Sequence, residues 1–237
     1  MPAAKNTRVK NRLVDGLPAE EREKILSCGE EVELKFATKV YERGEQIDFV
    51  YFPTTCLIAM VTKVDGHQPL EIGLVGNEGM LGVTSILSTW TAPLSTVVQN
   101  SGRALRISVD QFNQLLQECA SLRRTLHRYL FMLIRQFVQS AGCTHFHTIE
   151  PRLARWLLMT HDRSRADSFH LTHEFLADML GVRRSGVTIA AGALQKKNLI
   201  SYTRGKICIV DRKGLEKAAC ECYAVLLKNY GQSMVIN

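Results

Sequence analysis

In the last third of the chain, Arg183, Arg184, Ser185 and Thr188 bring four hydrogen-bonding side chains close together in sequence. An arginine guanidinium can bridge the two acceptors on a guanine edge, a contact worth about 1–3 kcal/mol of discrimination between bases. Serine and threonine hydroxyls can add shorter contacts to the same groove. Around them, Thr172, His173, Lys196, Lys197, Arg204 and Lys206 have the types that hold backbone phosphates, which positions a duplex without reading it. The chemistry on offer is recognition of double-stranded DNA.

Other reactive residue types carry less. No nucleophile–base pair stands out, so no catalytic residue is expected and the chain does not read as an enzyme. A cupin-type metalloenzyme would need two or three histidines on neighbouring barrel strands. Residues 32–107 hold only His67, in a turn. A haem- or thiol-based redox sensor would have to rest on His67 and Cys56. The seven cysteines, at 28, 56, 119, 143, 208, 220 and 222, form no CxxC pair, so neither a zinc ribbon nor an iron–sulfur cluster has an evident seat. Cys143, His145 and His147 stand at i, i+2 and i+4, and on a helix only 143 and 147 share a face. That stretch reads as a polar hinge, and the "CEC" at 220–222 as packing. Reduced, mostly buried thiols are the expectation, with no metal and no resident cofactor.

The base-reading residues need an element to present them. They lie in "LADMLGVRRSGVTIAAGALQ", which has helical periodicity at both ends and glycine at 181, 186 and 192. Thr172 is a good N-cap for a first helix whose apolar residues are Phe175, Leu176, Met179 and Leu180. Gly181 follows, where a left-handed residue would end the helix. A second periodic segment runs through Val187, Ala190, Ala191 and Leu194. A small residue at Ala177 lets two helices touch, Gly181 turns the corner and Val187 fills the angle between them. The pattern predicts a helix-turn-helix with the second helix as reader of the major groove. After it, "NLISYTRGKICIVD" reads as strand, turn and strand, a wing with a basic tip at Arg204 to Lys206.

Two further elements must carry this unit. Leu115, Cys119, Leu122, Leu126, Tyr129 and Leu133 recur at alternating spacings of 4 and 3, close to a heptad seam. They predict one helix over about 110–142, with that seam as its dimer interface and Leu116, Leu130, Phe131, Ile134 and Phe137 as a second apolar face. A short helix is expected from Pro151 to Met159, with the proline harmless in its first turn. Upstream, "FVYFPTTCLIAMVTKV", "PLEIGLVG" and "STVVQNSGRALRIS" alternate with turn signals, which predicts a β-barrel or jelly roll, preceded by a helix at "PAEEREKILSC".

Charge and composition agree with this layout. The formal net charge is +7. Residues 1–145 hold 16 Lys and Arg against 15 Asp and Glu, whereas residues 146–237 hold 14 against 8. The positive excess therefore sits beside the reading motif and implies a polyanionic partner. No apolar run reaches the roughly 20 residues of a membrane span, and the basic N-terminus has no apolar core behind it to act as a signal peptide. The expected location is cytoplasmic.

The order of these parts resembles the Crp/Fnr family of bacterial transcription regulators, most specifically in "RLARWLL", "LTHEFLADMLGVRRSGVT" and "LISYTRGKICIVDRKGLEKAACECY". The resemblance implies an α+β fold in three parts: a cyclic-nucleotide-binding-like β jelly-roll over residues 1–109, a long dimerisation helix over 110–145 and a winged helix-turn-helix over 146–237. It further implies a homodimer on a two-fold symmetric operator, with RNA polymerase as a further partner. The chain departs from the family's cyclic-nucleotide sensors in the implied effector pocket, at Gly82, Val83, Leu94 and Ser95. Val83 stands where a ribose-binding glutamate is expected, and Leu94 where a phosphate-binding arginine is expected. A buried phosphate without a cation meets a large desolvation cost, so cyclic AMP is not expected to bind. Cys28 alone cannot supply the N-terminal cluster of the oxygen-sensing members. Ser185 and Ile189 replace a glutamate and a frequent arginine of the reading helix, which implies a different operator.

Overall fold

The computed structural model describes residues 11–164, 167–203 and 205–233. The described residues begin with a single turn, α1 (Arg12–Asp15), capped by Asn11, whose side-chain Oδ1 accepts from the Leu13 and Val14 amides. The Asn11 amide donates to the Pro53 and Gly79 carbonyls, both at 2.8 Å, and so anchors the turn in the core. The predicted N-terminal helix follows as α2 (Ala19–Cys28), starting immediately after Pro18.

Seven antiparallel strands then form the β-roll: β1 (Glu30–Leu34), β2 (Lys39–Tyr41), β3 (Phe49–Pro53), β4 (Leu57–Thr62), β5 (Leu70–Val75), β6 (Ser95–Asn100) and β7 (Gly102–Ser108). They pair in two sheets, ordered β1-β7-β3 and β2-β6-β4-β5. Phe52, Ile58, Met80 and Ile107 are fully buried between them. Ile58 and Ile107 are β-branched and Phe52 is aromatic, the types that suit a strand packed on a core.

Two helices, not the single one expected over about 110–142, leave the roll. α3 (Val109–Glu118) is capped by the Ser108 hydroxyl, and α4 (Ala120–Phe146) runs 27 residues, about 40 Å. Cys119 between them has φ −108° and ψ 91°, outside helical geometry. The interruption has a cause elsewhere in the fold. The Glu21 carboxylate, reaching from α2, accepts from the Ser121 and Leu122 amides at 3.1 and 2.9 Å and caps the new helix start.

The residues expected at a dimer interface are turned the other way. Leu115, Cys119, Leu122, Leu126, Tyr129 and Leu133 are all buried in the chain's own core, where Phe52, Met80 and Phe112 lie. The Tyr129 hydroxyl donates to the Met80 carbonyl at 3.1 Å. The spacing identified a buried stripe correctly, but the β-roll occupies it. On the opposite side of α4, Phe131, Ile134 and Val138 are 61, 50 and 68% exposed.

α5 (Ile149–Ser164) is longer than expected at both ends, with Pro151 still in its first turn. A short strand, β8 (Ser168–His170), follows. Then come α6 (His173–Leu180), α7 (Arg184–Lys196), β9 (Ile200–Thr203), β10 (Lys206–Ile209), α8 (Arg212–Ala218) and α9 (Cys222–Ser233). β8, β10 and β9 form an antiparallel three-stranded sheet. Leu153, Leu157, Leu176, Val187, Leu194 and Leu215 make the core of this helical unit.

The helical unit packs directly on the β-roll. Ala59 of β4 belongs to its core, the Trp156 indole donates to Glu71 at 3.0 Å, and Gln99 donates to Thr160 at 2.8 Å. Arg163 and Glu78 form an almost fully buried ion pair at 2.7 Å across the same boundary. Among the described residues, no helix is long and apolar enough to cross a membrane.

Candidate nucleic-acid interface

The motif expected to meet DNA is built as two helices and a corner. The Thr172 hydroxyl accepts from the Phe175 amide at 3.1 Å and caps α6. Gly181 ends that helix in the left-handed conformation, φ +64°, which glycine adopts without a Cβ penalty. The amide of Val182 then donates to the Ala177 carbonyl at 3.0 Å and closes the turn. α7 buries Val187, Ala190, Ala191 and Leu194, so its opposite face points outward.

That outer face carries the expected readers. Arg183, at the N-cap, and Arg184, Ser185 and Thr188 are all exposed. Arg184 has only a loose contact with Glu174, at 4.0 Å, and its side chain is free to reach away from the protein. Ile189, 74% exposed, sits on the same face as an uncovered apolar side chain. Gly186 has a reason internal to the fold: a Cβ there would meet Ile149 at 2.6 Å, so its absence lets α7 approach α5.

Thr188 is more committed than its exposure implies. Its hydroxyl donates to the Arg184 carbonyl at 3.1 Å and lies 3.0 Å from His173 Nδ1. His173 in turn stacks on Tyr202 of β9, with ring centroids 4.2 Å apart. Burial, and secondarily the charge of Arg184, hold the His173 imidazole below its ordinary pKa. His173 was expected on a phosphate. Within the chain it joins α6, α7 and the wing.

The remaining phosphate candidates divide similarly. Thr172, Lys196 and Lys206 are exposed, with Lys206 opening β10 directly after the Gly205 turn, φ +80°. Lys197 is exposed too, but its amine pairs with Glu150 at 2.5 Å. Arg204 lies outside the described residues.

In the β-roll, Gly82, Val83 and Leu94 do come together. They line a cavity of about 70 Å³ with Tyr41, Met80 and Phe137. None of its lining residues is charged, and most are apolar. Ser95, expected with them, is not part of the lining. Its hydroxyl faces Glu42 and the Arg43 amide, both at 3.1 Å, because its position on β6 turns it toward that loop.

Comparison with known proteins agrees with this geometry. Residues 151–218 match the family model described as a Crp-like helix-turn-helix domain. Among curated proteins, nothing matches the chain. Similar solved structures include FixK2 from Bradyrhizobium japonicum, 15% identical, with a TM-score of 0.68 over 81% of this chain and 98% of that one. A CRP-family transcriptional regulator from Thermus thermophilus is 17% identical, with a TM-score of 0.66 over 79% and 96%. The c-di-GMP responsive global regulator CLP of Xanthomonas campestris is also 17% identical, with a TM-score of 0.64 over 81% and 99%. Residues 151–218 thus match a Crp-like helix-turn-helix domain, and the chain around them has the overall fold of solved structures of the Crp/Fnr family.

Proposed function

We propose that this protein is a sequence-specific transcription regulator that binds a two-fold symmetric DNA site as a homodimer. The observation that carries this reading is the outer face of α7, where Arg183, Arg184, Ser185 and Ile189 stand exposed at the start of a helix whose other face is buried. Arg184 reads a guanine through two hydrogen bonds, and Ile189 meets a thymine methyl. Lys196 and Lys206 hold phosphates, and His173 fixes Thr188 and the wing relative to the reading helix.

The dimer face is the exposed side of α4. His127, Phe131, Ile134, Val138, Ala141 and His145 follow one another at spacings of 4, 3, 4, 3 and 4 and are all exposed. A seam of that period pairs with a second copy of itself as a coiled coil, and a pair of reading helices then meets half-sites about one helical turn apart. Transcription is the output, so RNA polymerase is the further partner, and the cytoplasm is the compartment.

The cavity in the β-roll supports an uncharged, apolar effector better than cyclic AMP, since its lining offers a phosphate no cation. A thiol sensor at Cys56 is not favoured, because burial pushes that thiol up to about 12 and keeps it protonated. Light scattering tests the assembly. The protein should elute as two chains, and Ile134→Asp with Val138→Asp as one chain with much weakened operator binding. A single-chain mass for the unaltered protein would overturn the proposal.

A further inference from the structure

Three of the seven cysteines converge on one point with a histidine. Cys143 lies in the last turn of α4 and His147 is the extended residue that follows its end, Cys220 lies in the link before α9, and Cys222 begins that helix. Their ligating atoms all lie within 4.8 Å of one another, and the three thiols are buried. The Cys143 and Cys220 sulfurs are 3.5 Å apart, and the Cys222 sulfur lies 3.6 Å from His147 Nδ1.

These separations have a chemical meaning. Four ligands at the corners of a tetrahedron, with metal–sulfur bonds of about 2.3 Å and a metal–nitrogen bond of about 2.0 Å, stand roughly 3.5–3.8 Å apart. The Cys143–Cys220 and Cys222–His147 edges, 3.5 and 3.6 Å, fall on that figure, and the other edges lie within 4.8 Å. A multi-iron cluster distributes its cysteines over different irons and needs a wider cage than one in which all donors lie within 4.8 Å. Three soft sulfurs and one imidazole are the donor set of structural zinc.

The surroundings complete the pattern. His147 Nε2 is 3.1 Å from the Glu221 carboxylate, so the ring donates there and presents Nδ1 to the thiols. That carboxylate–imidazole arrangement is what orients histidines toward metals. The Gln139 amide donates to the Cys222 sulfur at 3.0 Å. Spacing alone divided these residues between a hinge and a packing patch, because nothing in the sequence brings position 143 to position 220.

We propose that Cys143, His147, Cys220 and Cys222 bind one thiophilic divalent ion, zinc in the first instance, which joins the end of α4 to the C-terminal part of the DNA-binding unit. Binding exchanges the three thiol protons for the ion and releases them to solvent, so affinity rises with pH. The ion locks the junction between the dimer seam and α7. Only this last consequence rests on the DNA-binding reading above.

Metal content and cobalt spectra test the site without reference to DNA. The reduced full-length protein should hold one zinc ion per chain, and replacement by Co²⁺ should give the intense visible bands of a tetrahedral thiolate site with sulfur-to-cobalt charge transfer. Cys222→Ser and Cys143→Ser should lose the ion, whereas Cys28→Ser and Cys208→Ser should keep it. Should the first pair not fold, Glu221→Gln removes only the exposed orienting carboxylate and should weaken binding about 10–100-fold. Reduced protein without zinc or cobalt bands, unchanged binding in Glu221→Gln and Cys222→Ser, or a Cys143–Cys220 disulfide as the sole chemistry would each overturn the site. Removing the ion should also weaken binding to a selected DNA site. A loaded site with equal DNA affinity in both forms would overturn the locking role, and failure of both forms to bind DNA would count against the DNA-binding reading instead.

Discussion

In the proposed function Arg184 and Lys206 do different work although both are exposed cations, and the difference is measurable. Arg184 stands on the outward face of α7, so as a base reader its change Arg184→Ala should relax preference at one position of each half-site at a cost of about 1–3 kcal/mol. An unchanged base preference would remove it from the reading set. Lys206 sits on the wing after the Gly205 turn. Lys206→Ala should weaken binding to all sequences alike and reduce the slope of log affinity against log salt by about 0.9 per chain. A sequence-selective loss would contradict the phosphate role. Residue types and local periodicity were enough to place Arg183, Arg184 and Ser185 outward and Gly181 at the corner. They were not enough for His173, Thr188 and Lys197, whose partners Tyr202, His173 and Glu150 are set by tertiary packing.

At the scale of elements, the two faces of α4 show what periodicity leaves open. A heptad stripe states that one side of a helix is covered; it does not state by what. Here the stripe through Leu122, Leu126 and Tyr129 is covered by the β-roll, and the second stripe through Phe131, Ile134 and Val138 is left exposed. The break at Cys119 depends on Glu21, roughly a hundred residues earlier, and no local signal marks it. The contact of β5 with α5 carries a pH dependence of its own. Burial pushes the Glu71 carboxyl, which accepts from Trp156, up to about 7. The folded chain then holds a proton that the unfolded chain releases, so stability should fall as pH rises from about 4.5 to about 7 and level off above it. Glu71→Gln should flatten that part of a melting-temperature profile, and parallel profiles for the two proteins would contradict the assignment.

In the whole molecule, the β-roll and the helical unit are not separate beads. Arg163–Glu78, Trp156–Glu71 and Gln99–Thr160 tie α5 to the roll, while α4 packs on both the roll and α9. Effector occupancy of the cavity beside Phe137 would therefore act on α4 directly, and through it on the placement of the reading helices. The order of the parts was legible because each has its own period and turn chemistry. Their packing against one another was not, since single polar residues such as Glu78 and Gln99 announce no partner. The central claim is that two copies of α7 read a symmetric site, and selection from random double-stranded DNA tests it most directly. The bound fraction should converge on a two-fold symmetric motif with half-sites about 10 base pairs apart, centre to centre. Recovery of DNA with no enriched motif, or with a motif lacking two-fold symmetry, would contradict it.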